Sequence, residues 1–160
     1  MTEALPVPKQ VRDVLSDLFN KDVTVNIADV PSADDVSAVA VYTRDPGMTL
    51  HGVIGFDLQL AANAAAAMGL VPPGGAEACV EDGELSGLLT DILKEVCNIL
   101  TVLFTRDGGP HVKFNALYTP AAAITGDIRP HLAALGNRLD LKVDIAGGYK
   151  GGMLSVVATP

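Results

Sequence analysis

Apolar positions along this chain recur in two rhythms, one of about 3.6 residues and one of two. The helical rhythm comes first: Val11, Val14, Leu15, Leu18 and Phe19 predict a helix over residues 8–20. Alternation then takes over. Val23, Val25 and Ile27 alternate with Thr24 and Asn26, residues 37–43 are β-rich, and Met48, Leu50, Ile54 and Phe56 mark a third strand. Asp45-Pro46-Gly47 joins the last two, and Pro followed by Gly predicts a hairpin closed by a type II turn. Asp57 stands where an N-cap belongs, before an alanine-rich helix over residues 58–69. Gly69 and Pro72-Pro73-Gly74-Gly75 end that helix and open a connector.

A long apolar helix is expected from about Glu84 to Phe104. Gly108-Gly109-Pro110 breaks the chain before a strand over residues 111–118, with Val112, Phe114, Ala116 and Tyr118 on one face. A short helix over residues 127–135 follows, capped by Thr125 or Asp127 and ended by Gly136. Leu139, Leu141, Val143 and Ile145 alternate with Asp140, Lys142 and Asp144, which places the first set in the core and the second outside it. Gly147–Gly152 turns the chain into a last strand from Met153 to Ala158. The order predicts a single α+β domain over residues 1–160. It is a mainly antiparallel sheet of about six strands, with a long central helix and two or three further helices packed on one face.

Composition narrows the function classes. The chain is 49% hydrophobic with no Trp, so its core is built from aliphatic side chains and alanine. A net charge of -8 without a basic cluster argues against nucleic acid as a partner, since phosphate contacts dominate such affinity. No apolar run reaches the ~18 residues of a membrane span, and the first residues carry no secretory pattern. A soluble, cytoplasmic protein is expected. Cys79, in the Gly/Pro-flanked connector, and Cys97, in the apolar helix, read as buried, inert thiols. His51, His111 and His131 share no metal-ligand spacing, and His51 and His111 read as half-exposed strand residues. No metal site is expected, and the glycine-rich 147–152 segment lies between two strands, unlike a phosphate loop with a helix behind it.

One polar stripe interrupts the apolar helix. Asp91, Glu95 and Asn98 stand at i, i+4 and i+7 and return to one face. A solvated charged edge, with Lys94 and Arg106 nearby, is the plain reading of the two acids. Asn98 fits it poorly, being a middling helix former in mid-helix. Asp13, Asp17 and Asn20 repeat the same spacing on the first helix, with Asn20 at the helix end, where Asn commonly serves as a stop.

The motif Asp91-x-x-x-Glu95-x-x-Asn98, with Pro120 following a strand 22 positions later, resembles the signature of the CheC/CheX-type chemotaxis phosphatases. Residues 50–56, the alanine-rich helix and the motif helix also follow the order of the CheX-like branch. The resemblance implies hydrolysis of the phospho-aspartate of a CheY-type response regulator. Asn98 would orient the attacking water, and Glu95 would pair with the regulator's active-site lysine. Asp91 and Pro120 would be supporting motif positions. The chain itself would need no cofactor, because Mg²⁺ would sit on the regulator, and a homodimer paired through sheet edges is expected. Asp13, Asp17 and Asn20 would be a degenerate second copy with a structural role. On the exposed ridge that such docking requires, Ile92, Val96 and Ile99 are expected in the core. Two departures from the family pattern bear on activity: Thr101 and Val102 stand where small residues are usual, and the Asn98–Pro120 spacing is about one residue short. The alternative is a non-catalytic module, like the flagellar-switch relatives, that binds a receiver or another partner.

Overall fold

The computed structural model describes residues 5–159. Among them, helix α1 (Pro8–Phe19) leads into strands β1 (Val23–Ile27), β2 (Val36–Arg44) and β3 (Thr49–Asp57). Helices α2 (Leu58–Met68), α3 (Pro73–Asp82) and α4 (Gly87–Ile99) follow. The chain ends with β4 (Val112–Tyr118), the short helix α5 (Arg129–Ala133), β5 (Arg138–Ile145) and β6 (Gly152–Ala158). The strands form one six-stranded sheet in the order β1-β5-β6-β3-β2-β4, and every neighbouring pair is antiparallel.

That order is a palindrome of two halves. Each half contributes a helix and three strands: α1 with β1, β2 and β3, then α4 with β4, β5 and β6. The third strands, β3 and β6, pair at the centre. Each first strand crosses over to edge the other half, so that β1 lies on β5 and β4 lies on β2. Buried positions repeat too. Val11, Leu15 and Phe19 of α1 match Leu89, Leu93 and Cys97 of α4 at one constant offset, which also relates Asp13, Asp17 and Asn20 to Asp91, Glu95 and Asn98.

Helix α2 lies against the sheet and is covered by α1, α3 and α4. Buried alanines make up most of its length, at Ala61, Ala62, Ala64, Ala65, Ala66 and Ala67. A helix buried on all sides needs such side chains, because backbones must approach closely from several directions. Gly69, just past its end, has the side chain of Ile92 where a Cβ would stand. The Asp57 carboxylate caps α2 by accepting from the Leu60 amide at 2.8 Å, and burial raises its pKa. Helix α4 packs on α2 and reaches the sheet at edge strand β4.

Several expectations change. The 73–82 stretch is a helix, not a connector: its Pro occupies the first helical position, where a missing amide costs nothing, and it packs along α2. Helices cover both faces, since α5 packs on β3 and β6 opposite the main core, over Val36, Val39, Val53 and Val157. Asp140 is therefore buried at 6% exposure. Arg138 holds it with two hydrogen bonds of 2.9 Å, Ser155 donates to it at 2.6 Å, and Arg138 also donates to the Leu132 and Ala134 carbonyls of the α5 end. Leu141, Val143 and Ile145 fill the main core, with Leu139 packed against it, while Lys142 and Asp144 are exposed.

The pairing of β4 with β2 slips between Val41 and Tyr42, where Asn115 is the extra residue. Such a bulge reverses the facing of the residues beyond it. Val112, Phe114 and then Leu117 meet the main core, while Tyr118 turns to the other face, contrary to simple alternation. The β2–β3 hairpin forms as expected, and its tip over residues 45–48 carries Gly47 and Met48 with positive φ. His51 is buried, not half-exposed, and His111 is exposed. Both cysteines are free and buried, and burial pushes the Cys97 thiol far above its ordinary range, which leaves it inert. No helix among the described residues is long and apolar enough to cross a membrane.

Candidate functional site

Helix α4 is set by its ends. Ser86 caps its start, accepting from the Leu89 amide at 3.2 Å, so the helix begins later than the acidic residues before it. Its α-helical turns stop at Ile99, and Leu100–Phe104 continue as a 3₁₀-helix. Leu89, Leu93, Val96, Cys97, Leu100, Leu103 and Phe104 are buried. This apolar stripe leaves an opposite face in water.

Asp91, Glu95 and Asn98 share that face, and all three are exposed. Glu95 and Asn98 are one turn apart, which puts their Cβ atoms about 5–6 Å from each other. None of the three side chains makes a hydrogen bond or ion pair with another described residue. Lys94 leaves the acids alone, and the Arg106 guanidinium donates to the Leu103 and Thr105 carbonyls. Cavities of about 280 Å³ beside Asp57 and about 210 Å³ beside Asn63 have no lining residue from α4. The stripe lies on the solvent-exposed surface of α4, opposite its buried face.

Three residues beyond the motif shape this surface. Ile99, expected in the core, is 43% exposed, and Val102 is 45% exposed. On an ideal helix Ile99 falls about 100° from the middle of the buried stripe, so it sits on the flank where core and surface readings both fit. These two flank Asn98 with apolar surface. The third is Tyr42, fully buried on β2, whose hydroxyl donates to the Cys97 carbonyl at 2.6 Å. No sequence signal links two residues so far apart in the chain.

The other motif positions are distributed. Pro120 is exposed and follows β4 through a cis peptide. It stands two residues past the end of β4, whereas Tyr42, paired with Phe114 toward the start of that strand, anchors the end of α4. Pro120 thus belongs to the far end of β4. On α1, Asp13 is bound by Lys9 at 2.7 Å and by Arg12 at 3.2 Å. The hydrogen bond from Lys9, helped by Arg12, holds its carboxyl below the usual range. Asp17 is exposed, and Asn20 ends the helix in the left-handed conformation, with φ at 53°.

No family model matches the sequence, and no curated protein matches it. Solved structures do. A chain of the FliM–SpeE complex from H. pylori superposes with a TM-score of 0.63 at 12% identity, covering 96% of this chain and 81% of its own. A chain of the FliG–FliM complex from H. pylori gives 0.58 at 17% identity, over 96% and 86%. A chain of the CheX–CheY–BeF3–Mg²⁺ complex from Borrelia burgdorferi gives 0.51 at 15% identity, over 92% of each. The fold is that of CheX and FliM. At these identities the likeness establishes architecture, and the exposed stripe on α4 must carry any functional reading.

Proposed function

We propose that this chain is a CheX-like phosphatase that hydrolyses the phospho-aspartate of a CheY-type receiver domain. The observation that carries the reading is the joint exposure of Glu95 and Asn98 on one unobstructed face of α4, within a fold shared with a CheX crystallised with CheY. Asn98 reaches into the receiver's site and holds the attacking water. An amide both donates and accepts, which suits a water lying between it and a phosphoryl group. Phosphoryl transfer rests mainly on positioning and electrostatics, so one well-placed amide contributes substantially. Glu95 meets the receiver's lysine and sets the orientation of docking. The receiver supplies Mg²⁺, which neutralises phosphoryl charge, and Asp91 extends the acidic face one turn further.

A second reading has its own support. The fold also matches chains from complexes of FliM with SpeE and with FliG, and Val102 adds branched apolar bulk beside Asn98. Both observations favour a module that binds a partner without hydrolysing it. The test separates the two. Each phosphorylated receiver of the source organism is incubated with Mg²⁺ and with wild type or Asn98→Ala. The phosphatase reading expects wild type to accelerate phosphate loss from one receiver and Asn98→Ala to lose most of that acceleration. Equal, slow decay with every receiver, together with intact binding, would leave the binding module.

A further inference from the structure

The polar stripe of α4 ends where its helix changes character, and two contacts hold that transition to the sheet. The first is the Tyr42 hydroxyl on the Cys97 carbonyl, immediately before Asn98. The second is Phe104, at the end of the 3₁₀ segment, whose ring fills the space over Gly52 where a Cβ would stand. Tyr42 and Gly52 are paired across β2 and β3. Both anchors therefore rest on one spot of the sheet. The Tyr42 ring is itself fixed between Phe104, 4.9 Å away between ring centres, and Phe114, 5.8 Å away. Between the anchors the chain presents Asn98, Ile99 and Val102 to solvent. The backbone of β2 is irregular here as well: its register shifts on one side of Tyr42 against β4 and on the other against β3. Burial raises the phenol pKa well above its ordinary value, so the hydroxyl remains a donor across the whole working range of pH.

Resting on the catalytic reading of Asn98, we infer that Tyr42 is a positioning residue: its hydroxyl, by holding the Cys97 carbonyl, fixes where the α-helix tightens and so aims the Asn98 amide. A carbonyl near a helix end has lost its regular partner and otherwise relies on water or a shifted turn. A tyrosine rooted in the sheet replaces that variable partner with a rigid one. Functional side chains act best when their mount is held by a second layer of contacts. Asn98 makes no side-chain bond of its own among the described residues, so its direction depends on the backbone beneath it.

The molecule supplies its own control. Tyr149 also donates its hydroxyl to a backbone carbonyl at 2.6 Å, that of Val71, in the link between α2 and α3. Tyr42→Phe and Tyr149→Phe thus delete the same bond in different places, and each keeps its ring. Turnover on the phosphorylated receiver, thermal melting and the side-chain amide resonances of Asn98 in ¹⁵N-labelled free protein are measured for both. A displacement of about 1 Å can cost on the order of 10²-fold in rate, and losing one of two anchors is expected to cost roughly tenfold in kcat with KM unchanged. Tyr42→Phe should show that loss and shift the Asn98 amide resonances, whereas Tyr149→Phe should do neither, though both melt earlier. Phe104→Leu, which loosens the second anchor, should give the Tyr42→Phe signature more weakly and serves if Tyr42→Phe does not fold. Tyr42→Phe with unchanged kcat and unchanged Asn98 resonances would overturn the inference. If wild type hydrolyses no receiver, the catalytic reading fails on its own. The resonances then still decide whether Tyr42 aims Asn98, unmoved ones overturning the positioning role and moved ones upholding it.

Discussion

Helices α1 and α4 hold equivalent places in the two halves of the fold, with the same acid-acid-amide spacing and the same buried positions, yet they present different surfaces. On α4, Glu95 and Asn98 stand free on the exposed face. On α1, Asp13 is occupied by Lys9 and Arg12, and Asn20 serves as the helix stop. The difference arises from the segment after each helix. Strand β1 begins three residues past Asn20, so the chain must leave the helix at once, and the left-handed conformation makes that exit. After Asn98 the chain winds on through a 3₁₀ segment held by Tyr42 and Phe104, so Asn98 keeps a helical backbone and a free side chain. The same spacing thus leaves its amide free on a helical backbone only where the helix outlasts it.

The equivalence of the two cores gives the largest expected effect. Leu15→Ala on α1 and Leu93→Ala on α4 should each destabilise the protein by about 2–5 kcal/mol in denaturant melts, because both side chains are buried at 3% and 0% exposure. A cost confined to one helix would break the comparison at its base.

The two asparagines should then cross over. Asn98→Ala is expected to reduce hydrolysis by about 10²–10³-fold, the cost of one preorganised polar group. It should leave stability unchanged or raise it by a few tenths of a kcal/mol, since Ala is the better helix former. Asn20→Ala should leave hydrolysis unchanged and lower stability by about 1–2 kcal/mol, because a non-Gly, non-Asn residue is disfavoured in the left-handed region. Paired melts and receiver assays test all four outcomes. A fall in hydrolysis for Asn20→Ala would mean that α1 carries a second working site.

The smallest contrast concerns charge. Glu95→Ala should weaken receiver binding by a factor of about two to five, in the range of an exposed ion pair, and high salt should erase the difference. Asp17→Ala, its counterpart on α1, should leave affinity unchanged in the same titration. Equal losses for both would place the partner across α1 and α4 together.

Much of this is legible in the chain. Alternation locates the strands because a half-buried strand must alternate, and Asp57 marks the start of α2 because a first-turn amide without an intrahelical partner needs an acceptor. Asn20 is legible as a stop for the same local reason. Helix α3 is hidden by Pro73-Gly74-Gly75, residues that end helices elsewhere but here begin one against α2. Alternation misplaces Asp140 because it tells which residues share a face and not whether the second face is covered; α5 covers it, and Arg138 neutralises the buried carboxylate. Strand β4 departs from its pattern from Ala116 onward because a bulge adds one residue without any change in composition.

By itself, then, the sequence determined the elements with a local signature, the α+β class, and the stripe of Asp91, Glu95 and Asn98. These depend on period, capping and turn chemistry, which act over a few residues. Only the tertiary structure decided that the two halves exchange their first strands, that Ile99 and Val102 flank Asn98 in the open, and that Tyr42 holds the Cys97 carbonyl 55 residues away in the chain. Those contacts join segments whose local patterns are indifferent to one another. They arise when burial of both sheet faces and satisfaction of a helix-end carbonyl must be met by the same folded chain.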